Sequence, residues 1–298
     1  MAWLLNVLGA VLAIVALRDI FHTVWYPRGY GFLAHVLCRW VWRLTRVWNR
    51  HRPDRTTELG GPLGLLVTVS TWTLLIVVGF ALIYLPHLPE GFFSSSPLDA
   101  EASSGFDAAL YVSLMYVSTL GLGDIAPAYD LLRLIVPLQA LAGFVLLTSA
   151  ISWMLQVYPT LSTRRGLALQ LSLLDTPETY QMLRTGLPEI ASRTLDTVAQ
   201  GIADCATDMS VYGESYFFRE RDQSRALPAQ IAVAVRLEQE AARSTSPEVR
   251  RSASTLHVAI DELAATVDRD FLHVDGSTQE VLEAFARDHQ QPLSGKVP

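Results

Sequence analysis

Lysine is almost missing from this sequence: Lys296 stands alone, and arginine carries the rest of the fixed positive charge. No basic residue of either kind falls between Arg55 and Arg133, or between Arg133 and Arg164. So long a gap makes nucleic acid a poor guess for the partner and a membrane a good one. Cysteine is nearly as scarce, with Cys38 and Cys205 lying in different predicted regions, so neither a disulfide framework nor a cysteine metal site is implied. His22, His35, His51, His87, His257, His273 and His289 are scattered without metal-ligand spacing, and no nucleophile motif stands out. The reading is therefore a protein that is not an enzyme and has no resident cofactor.

Uncharged apolar stretches fill the space that charge leaves. Half the residues are hydrophobic and the mean hydropathy is +0.27, which fits a membrane part joined to a soluble part. Ala2–Leu17, extended through Arg18-Asp19 to Trp25, predicts a transmembrane helix over 1–25. It lacks the basic start and small-residue cleavage site of a signal peptide. The Arg18–Asp19 pair reads as a helix end at the headgroups, with no assigned role. Leu63–Leu85 and Leu134–Val157 predict two further spans.

Between the first two spans, residues 26–62 predict a cytoplasmic segment carrying an amphipathic helix over 32–50. Its tryptophans and Arg39, Arg43, Arg46 and Arg50 suit the plane of the headgroups, with anionic lipid as the expected partner. A voltage sensor needs acidic partners, and 32–50 contains no Asp or Glu. Seven arginines fall between 28 and 55, whereas the loop after the second span carries Glu90, Asp99 and Glu101 and no base. That asymmetry places the arginines inside and the loop outside, with the N-terminus outside. Arginine in place of lysine suggests a GC-rich bacterial genome, hence the bacterial inner membrane.

The organising stretch is Val117-Ser-Thr-Leu-Gly-Leu-Gly-Asp-Ile-Ala-Pro127. Two glycines one residue apart allow backbone angles that side chains forbid, so consecutive carbonyls can turn to one side and replace a cation's water. Between two spans, such backbone belongs in a re-entrant loop lining a watery path. Thr119-Leu-Gly-Leu-Gly-Asp124, with the helix-like 106–118 before it and a span on either side, resembles the potassium-channel pore-domain family, here with an additional N-terminal helix. The resemblance covers roughly 63–157. It implies an outer helix at 63–85, pore helix at 106–118, filter at 119–124 and inner helix at 131–157.

By the same resemblance, the Thr119 hydroxyl and the carbonyls of Thr119, Leu120, Gly121 and Leu122 line potassium sites. Gly121 and Gly123 supply the unusual angles, and Asp124 sits at the outer mouth. Gly143 falls where the family's inner helix often bends; it serves as a hinge or as a close-packing site. Thr148, Ser149 and Ser152 line a cavity or bond back to their own helix. One chain gives one strand and a carbonyl ring needs four, so the resemblance implies a homotetramer. Leu120 and Leu122 replace the family's Val and Tyr, so Leu122 lacks the hydroxyl that braces the filter. Tyr111 and Val112 replace a tryptophan pair, and Met115 stands where some relatives carry a glutamate.

From 158 to 298 the composition becomes that of a soluble helical domain. Thr176-Pro177-Glu178 and Ser246-Pro247-Glu248 are start signals, and Ser277 to Glu280 is a capping box. Val249, Ala253, Leu256, Ile260, Leu263 and Val267 form one helical stripe, with similar patterns over 188–209 and 229–243. Tyr216-Phe217-Phe218 reads as a hydrophobic anchor in a helix connection, or as a ligand or subunit contact. Alternating strands with a phosphate-binding glycine loop are absent. The fold class expected is an all-α membrane protein, a tetrameric potassium-channel-like pore domain with a re-entrant loop and a cytoplasmic helical bundle. The function expected is passive potassium conduction modulated by that bundle. A weakly selective cation channel and a non-conducting, membrane-anchored interaction protein are the alternatives.

Overall fold

A computed structural model describes residues 2–26, 31–51, 59–94 and 105–292. Asp99 and Glu101 of the acidic loop, Arg28, Arg52 and Arg55 lie outside the described residues, as does the side chain of Arg50. The chain divides into two units, Met1–Arg39 with Gly64–Leu155, and Trp40–Leu63 with Gln156–Pro298.

In the first unit, α1 (Ala2–Val24), α3 (Gly60–Tyr84) and α5 (Asp130–Leu174) are long helices, and α4 (Phe106–Val117) is a short apolar one between the last two. Among the described residues, three helices are long and apolar enough to cross a membrane, and the chain is an integral membrane protein. With no hydrophobic drive between helices in lipid, contact depends on small residues that let backbones meet. Gly9 of α1 and Gly79 of α3 do this: a Cβ on Gly9 would lie 2.3 Å from the Gly79 carbonyl oxygen, and one on Gly79 2.7 Å from that of Gly9. The opposite side of α1 leaves Trp3, Leu4, Val7, Leu8, Val11 and Ile14 exposed, as a lipid-facing stripe must be.

Asp19, read from sequence as an idle headgroup residue, is buried and works as a cap. Its carboxylate accepts the Leu33 amide at 2.9 Å and the Ala34 amide at 3.2 Å, in the first turn of α2 (Phe32–His51). It also accepts the indole N–H of Trp72 on α3 at 2.8 Å. A carboxylate at a helix start satisfies orphan amides and meets the positive end of the dipole, so α1 fixes where α2 begins.

Two boundaries differ from the sequence reading. The outer helix, expected at 63–85, starts earlier, at Gly60, because Pro62 is tolerated in a first turn where its missing N–H has no partner anyway. The inner helix, expected to end at 157, continues unbroken through Pro159 to Leu174. Val157, Leu161, Ala168 and Leu171 are buried at helical spacing on both sides of the proline, and that stripe outweighs the lost hydrogen bond. At 45 residues, α5 is about 68 Å long at 1.5 Å per residue, twice a hydrocarbon core.

The second unit is a helical bundle: the end of α5, then α6 (Pro177–Thr185), α7 (Pro188–Val211), α8 (Leu227–Ala242), α9 (Pro247–Val267) and α10 (Thr278–Asp288). The helix starts follow local chemistry. The Thr176 hydroxyl accepts the Thr179 amide, and Ser277 and Glu280 complete their capping box. Ser246 does not cap α9 with its side chain; Arg250 instead donates to the carbonyls of Ser244 and Thr245 at 2.8 and 2.9 Å. The α9 stripe from Val249 to Val267 is buried between α7 and α8, and Leu195, Ile202, Leu237 and Phe285 complete the core. Tyr216, Phe217 and Phe218 are buried too, with Tyr216 stacked on Phe271 at 4.2 Å, so this segment packs as an anchor.

Candidate functional site

Residues 119–124 leave the C-terminal end of α4 and run to a short strand, β2 (Ile125–Pro127), which pairs antiparallel with β1 (Phe92–Ser94). What fixes α4 is a buried chain of hydrogen bonds. The Ser113 hydroxyl donates to the Val77 carbonyl of α3 at 2.7 Å, and the Gln139 amide of α5 donates to the Ser113 carbonyl and hydroxyl at 2.9 and 2.7 Å. Tyr84 of α3 donates to Gln139 Oε1 at 2.7 Å, which joins the three helices. In an apolar surrounding such a chain is satisfied only in one geometry, so it locks the short helix. Gly143 adds close contact: a Cβ there would fall 2.1 Å from the Val117 carbonyl oxygen. In this arrangement Gly143 is a packing site, and α5 is continuous across it.

The strand itself alternates in handedness. Thr119, Gly121 and Gly123 have φ of +58°, +52° and +77°, whereas Leu120 and Leu122 are not among the positive-φ residues. In an ordinary strand successive carbonyls point to opposite sides; alternating left-handed residues turn them to the same side. Two of the three left-handed positions are glycine. Thr119 is β-branched, and holding it there costs of order 1–3 kcal/mol, a strain that persists only where the surroundings impose it. Its amide donates to the Tyr116 carbonyl at 3.1 Å, closing the turn off α4.

Tyrosines of α4 hold the far end. Tyr111 donates to Asp124 Oδ2 at 2.5 Å, the Ile125 amide donates to Asp124 Oδ1 at 3.0 Å, and Tyr116 donates to the Ile125 carbonyl at 2.8 Å. Leu122 offers no hydroxyl, and this bracing comes from the preceding helix instead. Tyr111 was noted in the sequence only as a departure, because its partner thirteen residues on is not readable from spacing. In one chain the strand lies open: Leu120 and Leu122 are 67% and 65% exposed, and no atom comes within 4 Å of a Cβ placed on Gly121 or Gly123.

The cavity candidates separate. Thr148 bonds back to the Phe144 and Val145 carbonyls at 2.9 and 3.1 Å, Ser149 is buried within the chain, and Ser152 is half-buried. Arg39, Arg43 and Arg46 of α2 likewise meet different surroundings. Arg43 is exposed, Arg39 bonds His35 Nε2 at 2.5 Å, and Arg46 pairs with Asp288. Among the described residues, no group of three or more His, Cys, Asp or Glu side chains is placed to hold a metal ion.

Residues 69–158 match the family model described as "Ion channel". The "Uncharacterized membrane protein YdjJ" of Bacillus subtilis (strain 168) is 25% identical over 163 residues, covering 54% of this chain and 46% of that protein. The match thus spans about half the length of that relative. No solved structure matches this chain.

Proposed function

With residues 69–158 belonging to an ion-channel family, we propose that the chain forms a passive, potassium-selective channel of four copies, each contributing Thr119–Gly123 to a central filter. The observation that carries this is the left-handed alternation at Thr119, Gly121 and Gly123, which turns main-chain oxygens to one side of a strand with open space at both glycines. Those oxygens compensate the dehydration of a monovalent cation while leaving it loosely enough held to exit. Closing a ring takes identical strands about an axis. Asp124 concentrates cations at the mouth. The C-terminal end of α4 presents its negative dipole end to the water-filled cavity.

Orientation follows the arginine asymmetry: residues 26–62 and the helical bundle inside, the N-terminus outside, in a bacterial inner membrane. The exposed face of α2, with Trp40, Arg43, Leu44 and Trp48, lies against anionic lipid.

Purified protein in liposomes loaded with potassium provides the test. Tracer uptake is expected, blocked by external potassium and far less by sodium. Gly121→Ala places a Cβ on a left-handed residue in every copy, at about 1 kcal/mol per strand, so uptake should fall at least tenfold. Equal competition by sodium marks a weakly selective cation channel. Uptake that Gly121→Ala leaves unchanged contradicts the filter assignment.

A further inference from the structure

The carboxylate of Asp288, the last residue of α10, gathers three donors from distant parts of the bundle unit. Trp42 Nε1 donates to Oδ2 at 2.9 Å and the Tyr216 hydroxyl to the same oxygen at 2.7 Å, while Arg46 pairs with Oδ1. The residues just beyond extend the knot. Gln290 donates to the Arg46 carbonyl at 3.3 Å and accepts from Arg219 Nη1 at 2.9 Å. The Arg219 guanidinium lies 4.7 Å from the Trp42 ring centre, and the His289 ring 5.0 Å from it. Trp42, Tyr216, Arg219 and His289 are each at most 4% exposed.

Stability alone does not call for this arrangement. Filling such a space with apolar side chains is often neutral or stabilising, whereas removing one member of a buried charged set is costly. The knot is also incompletely satisfied: among the described residues, Arg219 Nε and Nη2 and His289 Nε2 have no hydrogen-bond partner. A polar cluster strong at its centre and unsatisfied at its margin suits a contact that forms and opens. What it grips is α2, a continuous helix whose residues up to Arg39 belong to the membrane unit and whose start is capped by Asp19. The two sides of α2 are distinct, since Trp42 is buried in the knot while Trp40, Leu44 and Trp48 remain exposed.

We propose that the Asp288 knot is a regulatory clamp, by which the C-terminal helix α10 holds α2 and sets how readily the channel conducts. This rests on the conduction reading above. Closing the clamp pairs the Asp288 carboxylate with Arg46 and both aromatic donors; opening it frees α2 from the bundle and returns those groups to water. Any state that differs in the position of α2 is thereby coupled to α10.

The test uses the full chain in liposomes, with a nitroxide on Arg43→Cys, an exposed site; the native Cys38 and Cys205 are buried. Asp288→Asn is expected to raise the mobility of the label and to change potassium uptake about five-fold or more, leaving the competition order of potassium over sodium unchanged. Tyr216→Phe keeps the ring and loses only the hydroxyl that donates to Asp288, so it gives the same test where Asp288→Asn fails to fold. The double variant should shift uptake no further than the larger single effect, because both changes remove one contact. A label that loosens with uptake unchanged makes the knot purely structural and overturns the proposal, as does a label that does not loosen. Absence of uptake from the unsubstituted chain, with the label still responding, removes the conduction reading and the proposal with it.

Discussion

At Tyr111 a single hydroxyl supplies a brace that Leu120 and Leu122 cannot give. The Tyr111 hydroxyl donates to Asp124, whereas Leu122 has nothing to donate. Tyr111→Phe keeps the ring on α4 and loses the bond to Asp124, so the strand should stay folded but be held less firmly at its outer end. The expected result is a several-fold loss of potassium over sodium in the competition assay, with total uptake less affected. An unchanged ratio would show that the brace has no part in selectivity. His289 acts at the same scale in the bundle. Burial, reinforced by the charges of Arg164, Arg219 and Arg46, pushes its imidazole well below the ordinary 6.5. Below that value the unfolded chain takes up a proton that the folded chain refuses, so folding stability falls as pH falls. Thermal melting should be flat above pH ~7 and decline below pH ~6, and His289→Gln should flatten the decline. A melting temperature independent of pH in the parent chain would contradict this.

At the scale of elements, the apolar runs and the 3.6-residue stripes were legible because each is a local property of the chain. The stripe from Val249 to Val267 is the buried face of α9, and the run from residue 134 forms most of the first part of α5. The glycine alternation was legible for the same reason, since φ above zero is written into residue type at Gly121 and Gly123. What escaped is long-range. Asp19 finds its partners fourteen and fifty-three residues away, and Asp288 meets Trp42 across 246 residues. Gln139 in an otherwise apolar span was the one visible hint of the hydrogen bonds that hold α4. The end of α5 was misplaced because Pro159 is a strong local stop signal, and tertiary burial on both sides overrode it. Interior proline costs roughly 3 kcal/mol, so Pro159→Ala should raise the melting temperature of the full chain by up to that equivalent. A lowered melting temperature would mean that the proline serves the helix rather than burdening it.

For the whole molecule, the proposed function makes one chain an unfinished object. Its Thr119–Gly123 strand carries strained backbone at Thr119, yet among the described residues only chain neighbours come within 4 Å of a Cβ placed on Gly121 or Gly123. Strain of this kind persists where the surroundings impose it, and in the proposed channel further copies of the same strand about an axis would supply them. The most direct test is a density map of the lipid-reconstituted protein, determined once in potassium and once in sodium. The account predicts a fourfold axis with ion density in potassium, flanked by the carbonyls of Thr119, Leu120, Gly121 and Leu122, and weakened or rearranged density in sodium. Residues 119–123 turned away from any symmetry axis, or a central passage without carbonyl oxygen around it, would contradict it.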